Sequence, residues 1–444
     1  MMTVGGLTAA VKFVGAGRDL ALAHQFGTRG EFDAYLIAYA IPSFMTNLIA
    51  GSLAATLIPL VIQARERDGS DAARQLFSAT VVRLSLLLAA LTLALGVTTR
   101  HFVPMLATAF KPDQLALAVR LTYVLLPTLV FGGLSLTFGA VLNASGRFAR
   151  VAVAPLLTPA VQLTLVLAAK ENKIEALAYG TSAGALIEAV LLMWAAHGEG
   201  YRPLLRKQGY SACQSVFGRQ YAAMIVGSAL MGSTVIVDQI MAAMLGSGSV
   251  SALSFGTKVV AFLREIGPAA MSTVLLPHFS QLAADRDWDA LRRDLALYSR
   301  MILAVSVPGT VVLALLSKPI IALLFQRGAF TLSDTEIVSH VQILFAIQIP
   351  FYMLGLMFVR VMSAFQANHL LMYGTAISVV VNIGLNVVFM KQLGVAGIAL
   401  STSGVYFVSC VYLALIAWRL IERESERSSD ASLGSPERSA AGTY

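Results

Sequence analysis

The most constraining feature of this sequence is a series of apolar runs, each long enough to cross a lipid bilayer. A membrane-spanning helix needs about 20 predominantly apolar residues, and runs of that length recur along almost the whole chain of 444 residues. Charged residues make up only 13% of the sequence, against roughly 25% in soluble domains. Because little polar sequence is left between the runs, we predict an all-α integral membrane protein without a sizeable soluble domain.

The apolar runs predict twelve transmembrane helices in two six-helix bundles. The predicted spans are 3–26, 33–63, 76–99, 113–144, 148–170, 174–197, 217–245, 250–283, 294–317, 335–366, 369–391 and 394–420. The longest polar interruption falls near the middle, so we predict an N-terminal bundle over 1–200, a linker over 201–216 and a C-terminal bundle over 217–422. The Ser-rich, charged segment 423–444 is predicted to be a disordered cytoplasmic tail.

The two halves resemble each other at an offset of about 220 residues. The segment "PAVQLTL" at 159–165 aligns with "VVVNIGL" at 379–385, and "TSAG" at 181–184 aligns with "STSG" at 401–404. A repeat of six helices is the usual plan of secondary transporters whose two halves move around a central site. The sequence therefore favours a transporter.

The charges in the loops predict the orientation of the chain in the membrane. With both termini in the cytoplasm, sixteen Lys and Arg residues fall in cytoplasmic segments and eight in external loops, as the positive-inside rule requires. The net charge of +8 is therefore interpreted as topogenic charge and contact with anionic lipid head groups, and not as a nucleic-acid site. The amino terminus lacks the order of regions that marks a cleaved signal peptide, so we interpret it as a first span.

The sequence contains no motif that predicts an enzyme or a metal site. It lacks a Walker A loop, a GxGxxG motif after a strand and an HExxH motif, and its six histidines are scattered. Cys213 and Cys410 are isolated and show no ligand spacing. We expect neither catalysis nor a bound cofactor.

Charged residues inside the predicted spans are the strongest candidates for function. Lys12 and Arg18 lie six positions apart on the first span, and Lys258 and Arg264 have the same spacing on the eighth. A charge at the centre of a membrane helix costs about 2.5–3.5 kcal/mol, so it normally faces a cavity or another charge. Residues six apart on a helix differ by roughly 120° in direction and can border one wide cavity. Four converging cations would bind an anion such as a pyrophosphate.

Acidic residues in the same spans are predicted to gate the site or to pair with its cations. They are Asp19, Asp33, Asp238 and Glu265. An alternative is that Arg18–Asp19 and Arg264–Glu265 are internal salt bridges that only hold the helices together. Asp19 aligns with Asp238 in the repeat, so a structural role for these two is as well supported as a functional one.

Three segments of the sequence resemble signatures of a known family. The segment "GAGRDLALAHQFGTRGEFDAYLIAYAIPSF" at 15–44 resembles the opening signature of the MurJ/MviN family of lipid II flippases, in the MOP exporter superfamily. "LLPHFSQ" at 275–281 and "LFQRGAFTLSD" at 324–334 are similar to two further family signatures. The resemblance covers residues 4 to about 420. It implies two six-helix bundles around a cationic cavity, and alternating access that moves an undecaprenyl-pyrophosphate-linked sugar across the bacterial inner membrane for peptidoglycan synthesis.

The resemblance also assigns roles to particular positions. Arg18 and Asp33 match residues that the family needs, while Lys12 and Lys258 stand where the family usually has arginine. The family's Arg-Arg pair after "AIPSF" is replaced by residues 45–47, Met-Thr-Asn, and the family usually has fourteen spans where twelve are predicted here. The expected substrate is therefore lipid II or a related lipid-linked glycan of the cell envelope.

We further expect a monomer without a cofactor, with possible coupling to membrane potential or to a monovalent ion. Two other functions stay open. An ion-coupled multidrug exporter of the same superfamily would have acids dominating its cavity, whereas this sequence places cations there. A non-transporting membrane scaffold would tolerate neutralisation of the intramembrane charges.

Overall fold

The computed structural model describes residues 2–202 and 214–433, and every regular element in these ranges is helical. The α-helices are α1 (Met2–Phe26), α2 (Gly30–Thr46), α3 (Ser52–Leu106), α4 (Pro112–Leu125), α5 (Pro127–Ala144), α6 (Phe148–Val153), α7 (Leu157–Ala168), α8 (Lys173–Gly198), α9 (Gln214–Ala243), α10 (Ser249–Ala284), α11 (Trp288–Leu315), α12 (Ser317–Phe325), α13 (Leu332–Ala346), α14 (Gln348–Ala364), α15 (Asn368–Leu393) and α16 (Val395–Leu433). A π-helical turn, Asn47–Gly51, joins α2 to α3. The predicted all-α class is confirmed.

Among the described residues, nine helical segments are long and apolar enough to cross a membrane. One of them, Gly30–Leu106, contains both the second and the third predicted span. The two spans are separated at Gly69, which has φ 88° and ψ 175°, a backbone conformation that glycine adopts easily. The first and eighth predicted spans correspond to α1 and α10. The prediction of a many-span helical membrane protein is therefore confirmed.

The structure differs from the predicted spans at two places. Helix α12 occupies a region predicted to be an external loop; its nine residues form a helix too short to be recognised as a span. Helix α16 continues to Leu433, so the described part of the predicted tail, 423–433, is helical and carries a 2.8 Å ion pair between Glu424 and Arg427 one turn apart. The rest of that tail, 434–444, and linker residues 203–213 lie outside the described residues.

The chain forms two compact units. Unit 1 comprises Met1–Leu253 and Ile321–Glu336, and unit 2 comprises Ser254–Ile320 and Ile337–Tyr444. These boundaries do not coincide with the predicted domain boundaries, and the division into two six-helix bundles stays a prediction.

Helix α9, the seventh predicted span, belongs to unit 1 because it packs on α2, α3 and the π-turn. The hydroxyl of Tyr221 on α9 donates to the Ile49 carbonyl at 3.0 Å. Ser52 at the start of α3 donates to Ser228 at 2.9 Å. These contacts satisfy polar groups that would otherwise face hydrocarbon.

Each unit has its own aromatic core. In unit 1, Phe77 on α3 packs between Phe138 and Tyr201, with ring centroids 5.6 and 5.3 Å away. In unit 2, Phe279 and Met357 are fully buried in a cluster formed by α10, α11, α14 and α16. The core of unit 2 includes α10, which also carries Arg264.

Candidate functional site

Arg18 on α1 is held on two sides by other side chains of unit 1. Its Nε and Nη2 donate to the same Asp19 oxygen, Oδ1, at 3.1 and 2.6 Å. Its Nη1 donates to Oε1 of Gln162 on α7 at 3.4 Å. The Arg18 side chain nevertheless keeps 28% of its surface exposed. The Arg18–Asp19 salt bridge that the sequence offered as an alternative is therefore present, and part of the Arg18 side chain stays accessible.

Gln162 is the first member of a buried hydrogen-bond network between α7, α8 and α2. The side chain is almost completely buried, with 2% of the residue exposed. Its Nε2 donates to Oγ1 of Thr181 at 2.9 Å. The hydroxyls of Thr181 and Tyr35 lie 2.9 Å apart, and Thr181 also donates to the Leu177 carbonyl at 2.8 Å. The network joins three helices behind Arg18.

Two glycines bring α8 close enough to α7 for this network to form. A Cβ on Gly180 would lie 2.8 Å from the Cα of Gln162, and a Cβ on Gly184 would lie 2.6 Å from the Cα of Thr158. Small residues four apart are typical of closely packed membrane helices. Gly180 and Gly184 therefore set the distance between Gln162 and Thr181.

Asp33 is fully buried and caps the start of α10. One carboxylate oxygen accepts from the Ser251 backbone N–H at 2.7 Å, and the other accepts from the Gly248 N–H. Backbone N–H groups at a helix start lack partners in the helix, and the helix dipole favours an anion there. The structure thus pairs Asp33 with a helix terminus, whereas the sequence left open a pairing with the cations of the site.

The segment around Gly27 also contacts the segment between α12 and α13. The carbonyl of His24 accepts from Ala329 N at 2.8 Å, and Thr28 donates to Asp334. Gly27 has φ 55°, and a Cβ at that position would overlap the Ala329 carbonyl. Two of the segments that carry the family resemblance, 15–44 and 324–334, are therefore packed on each other in unit 1.

Arg264 in unit 2 is enclosed by aromatic rings. Its guanidinium carbon lies 4.4 Å from the Tyr352 ring centroid and 4.9 Å from that of Tyr406. Nη1 donates to Gln348 at 3.2 Å and Nη2 to the Tyr406 hydroxyl at 2.7 Å. Arg264 therefore ties α10 to α14 and α16, which limits the donors that a substrate could use.

The remaining predicted residues are placed as follows. Lys12 on α1 is exposed in unit 1, and Asp238 on α9 is buried in the same unit. Lys258 on α10 is half-buried in unit 2. Glu265 lies outside the described side chains. Since Lys12 and Arg18 belong to unit 1 and the other two cations to unit 2, their convergence on one anion stays a prediction.

Sequence analysis did not single out Gln162, Thr181 or Tyr35. The internal repeat contained a signal for two of them, because the offset of 220 aligns Gln162 with Asn382 and Thr181 with Ser401. In unit 2 the Ser401 hydroxyl donates to the Asn382 carbonyl at 3.2 Å. Polar residues at both repeat positions thus form a helix–helix contact in each unit.

The segment that replaces the family's Arg-Arg pair leads into the π-turn. Asn47 donates through Nδ2 to the Ser43 carbonyl at 2.9 Å, and Thr46 donates to the Pro42 carbonyl at 2.8 Å. Both bonds go to the backbone carbonyl one turn earlier, which is a common local bond of polar side chains inside a helix. The segment contributes polar contacts here instead of positive charge.

Buried charges and polar networks inside the spans of a many-span helical membrane protein mark a substrate or ion pathway, as in membrane transporters. The family model described as lipid II flippase MurJ matches residues 22–435. The chain belongs to this lipid II flippase family, which is a family of transporters.

Individual relatives agree with this assignment. The chain is 24% identical to the probable lipid II flippase MurJ of Rhizobium meliloti (strain 1021) over 434 residues, covering 94% of this chain and 80% of the relative. It is 26% identical to the lipid II flippase MurJ of Burkholderia cenocepacia over 417 residues, covering 90% and 80%.

The fold resembles that of two solved transporters. A lipid II flippase MurJ in an inward closed conformation has a TM-score of 0.80 at 21% identity, covering 99% of this chain and 94% of that one. An inward-facing multidrug resistance transporter of the MATE family, in the MOP superfamily, has a TM-score of 0.76 at 12% identity, covering 96% and 99%. At these identities the likeness concerns the fold.

Proposed function

We propose that this protein translocates lipid II, or a closely related polyprenyl-pyrophosphate-linked saccharide, from the inner to the outer leaflet of the bacterial cytoplasmic membrane. Family membership supports lipid II as the first candidate substrate. The transport cycle is alternating access, in which the substrate site opens first to one side of the membrane and then to the other.

The observation that carries this proposal is the geometry of Arg18. A guanidinium has five N–H donors, and the three bonds to Asp19 and Gln162 leave two of them, one on Nη1 and one on Nη2. Paired arginine donors suit phosphate oxygens better than the single charge of a lysine does. We assign Arg18 to the pyrophosphate, assisted by Lys12 and Lys258, with Arg264 in a weaker role.

We also propose that Asp33 acts in gating. Its carboxylate holds the start of α10 through two backbone N–H groups, and such a cap can be released without breaking any covalent or metal bond. Release of Asp33 would free both α10 and the segment before it to move. The cap is thus a contact that one state of the cycle makes and another breaks.

Coupling, orientation and assembly complete the proposal. Membrane potential or a monovalent ion drives the transport cycle. Both termini lie in the cytoplasm. The protein acts as a monomer. The orientation is supported by the distribution of basic residues between the loops. The net charge of +8 favours contact of the basic loops with anionic lipid head groups of the inner leaflet.

Complementation tests the proposal directly. A bacterial strain depleted of its lipid II flippase is expected to grow when it expresses this chain, and to stop growing with Arg18→Ala at equal membrane abundance. Failure of the intact, well-expressed chain would exclude lipid II as substrate. Growth with Arg18→Ala would contradict the role assigned to Arg18.

A vesicle assay separates the flippase from the two other functions. Purified protein in liposomes should translocate a fluorescent polyprenyl-pyrophosphate saccharide and should not export a cationic dye such as ethidium. Dye transport without lipid transport would favour a multidrug exporter. Absence of both, together with failure of the intact, well-expressed chain to complement, would favour a scaffold.

A further inference from the structure

We propose that Gln162, held in place by Thr181 and Tyr35, is a positioning residue that aims the guanidinium of Arg18 at a phosphate group of the substrate. This inference rests on the proposed function and adds residues to it. We call the connected side chains Arg18, Gln162, Thr181 and Tyr35 the α7–α8 relay.

The proton inventory of Thr181 fixes the orientation of the Gln162 amide. A threonine hydroxyl has one proton and two acceptor positions. The proton goes to the Leu177 carbonyl, so the oxygen can only accept from its other two neighbours. Gln162 must therefore present its NH2 group to Thr181, and Tyr35 must donate its hydroxyl proton.

The amide orientation in turn determines what Arg18 encounters. With Nε2 committed to Thr181, Oε1 of Gln162 points to Nη1 of Arg18. Asp19 holds the opposite side of the guanidinium through Nε and Nη2. Because the guanidinium is planar, a contact on each side fixes the direction of the whole group.

The relay restricts the conformations of the Arg18 side chain, which would otherwise be mobile. Arginine loses up to about 2 kcal/mol of side-chain conformational freedom when it is fixed, and a preorganised group does not incur this cost during binding. Because the buried relay already fixes Arg18 in the folded protein, this loss of conformational freedom occurs during folding and not during substrate binding. The remaining N–H on Nη1 and the remaining N–H on Nη2 are thereby held in fixed directions, from which they can donate to phosphate oxygens.

Binding measurements on the full-length protein in detergent test this inference. The probe is undecaprenyl pyrophosphate, and undecaprenol, which has the same tail without phosphate, is the reference. Gln162→Leu is expected to weaken binding of the pyrophosphate by about 3- to 10-fold when Arg18 is present. In the Arg18→Ala background the same change should have no further effect.

Threonine variants supply a matched control. Thr181→Val removes the oxygen that orients Gln162 and should weaken binding by about 3-fold, while Thr181→Ser should restore it. Thr164 on α7 also donates only to the carbonyl one turn earlier, Ala160, and is exposed. Thr164→Val therefore makes the same chemical change away from the relay, and should leave affinity unaltered.

Each failure has a distinct signature. If the intact chain does not prefer the pyrophosphate over undecaprenol, or if Arg18→Ala does not reduce the affinity, the proposed function fails and the relay with it. If binding depends on Arg18 but Gln162→Leu and Thr181→Val leave it unchanged, only the relay is overturned. Gln162 has a structural role if Gln162→Leu weakens pyrophosphate binding equally with and without Arg18. The same conclusion follows if Gln162→Leu lowers the melting temperature and leaves the affinity unchanged. Either result also overturns the relay.

Discussion

The carboxylate of Asp33 and the backbone N–H of Ser251 form a 2.7 Å hydrogen bond across 218 positions of sequence. The bond ties α2 to the first turn of α10. A helix start supplies unpaired N–H groups, so an acid from elsewhere in the chain can serve as its cap. This long-range cap combines a structural contact with a candidate gate.

Asp33→Ala should destabilise the protein more than removal of an ordinary cap. It leaves the buried N–H of Ser251 and the part-buried N–H of Gly248 without an acceptor. The buried group alone should lower the free energy of unfolding by about 1–3 kcal/mol. Asp287, the exposed cap of α11, accepts from Ala290 N at 2.9 Å and is the matched control, because Asp287→Ala should cost about 1 kcal/mol. Thermal unfolding in detergent measures both, and complementation should fail only for Asp33→Ala. Equal losses of stability with growth retained by both variants would contradict a gating role.

Replacement of Arg18 should distinguish the contribution of its positive charge to pyrophosphate binding from the contribution of its paired N–H donors. Arg18→Lys keeps the charge but removes the paired donors, so affinity for undecaprenyl pyrophosphate should fall by about 10-fold and less than for Arg18→Ala. The control is Arg120→Ala, which breaks an exposed 3.5 Å pair with Glu175 in the same unit and should leave affinity unchanged. Full activity of Arg18→Lys would show that a single positive charge is sufficient.

Arg264 should matter mainly for the stability of unit 2. Arg264→Ala removes two ring contacts and two side-chain hydrogen bonds. Their combined loss should lower the free energy of unfolding by about 2–4 kcal/mol. Arg292, whose guanidinium lies 5.9 Å from the exposed Trp418 ring, offers a weaker contact of the same kind, so Arg292→Ala should cost about 1 kcal/mol or less.

The comparison of melting temperature with affinity decides the role of Arg264. We expect Arg264→Ala to lower the melting temperature clearly while reducing pyrophosphate affinity less than Arg18→Ala does. A loss of affinity as large as that of Arg18→Ala at an unchanged melting temperature would place Arg264 directly on the substrate.

Gly180→Ala should disturb the contact between α7 and α8. The added Cβ would lie 2.8 Å from the Gln162 Cα, and backbone cannot move aside as a flexible side chain can, so we expect a loss of about 1–3 kcal/mol. Gly198, at the end of the same helix, has no atom within 4 Å of an added Cβ, and Gly198→Ala should be neutral or slightly stabilising. If thermal unfolding finds equal stabilities for both variants, the close packing of α7 on α8 is not needed.

The sequence by itself determined the class of the protein and the positions of its long apolar helical segments. Apolar length is set locally, since every span must satisfy its own backbone hydrogen bonds in lipid. The same argument pointed to Arg18 and Asp33, because a charge in an apolar helix is visible without knowing its partners. Short helix α12 and the helical residues 423–433 escaped detection because neither has the length and apolarity of a span.

Only the tertiary structure decided which partners these charges have. Nothing in the spacing of Asp33 predicts Ser251, and nothing around Arg18 predicts Gln162, because such contacts depend on how distant helices pack. Gly180 illustrates the reason: one missing Cβ sets the α7–α8 distance, and that distance brings Gln162 to Thr181. Burial then makes each hydrogen bond obligatory, so the packing of the helices, and not their composition, fixes the geometry of the site.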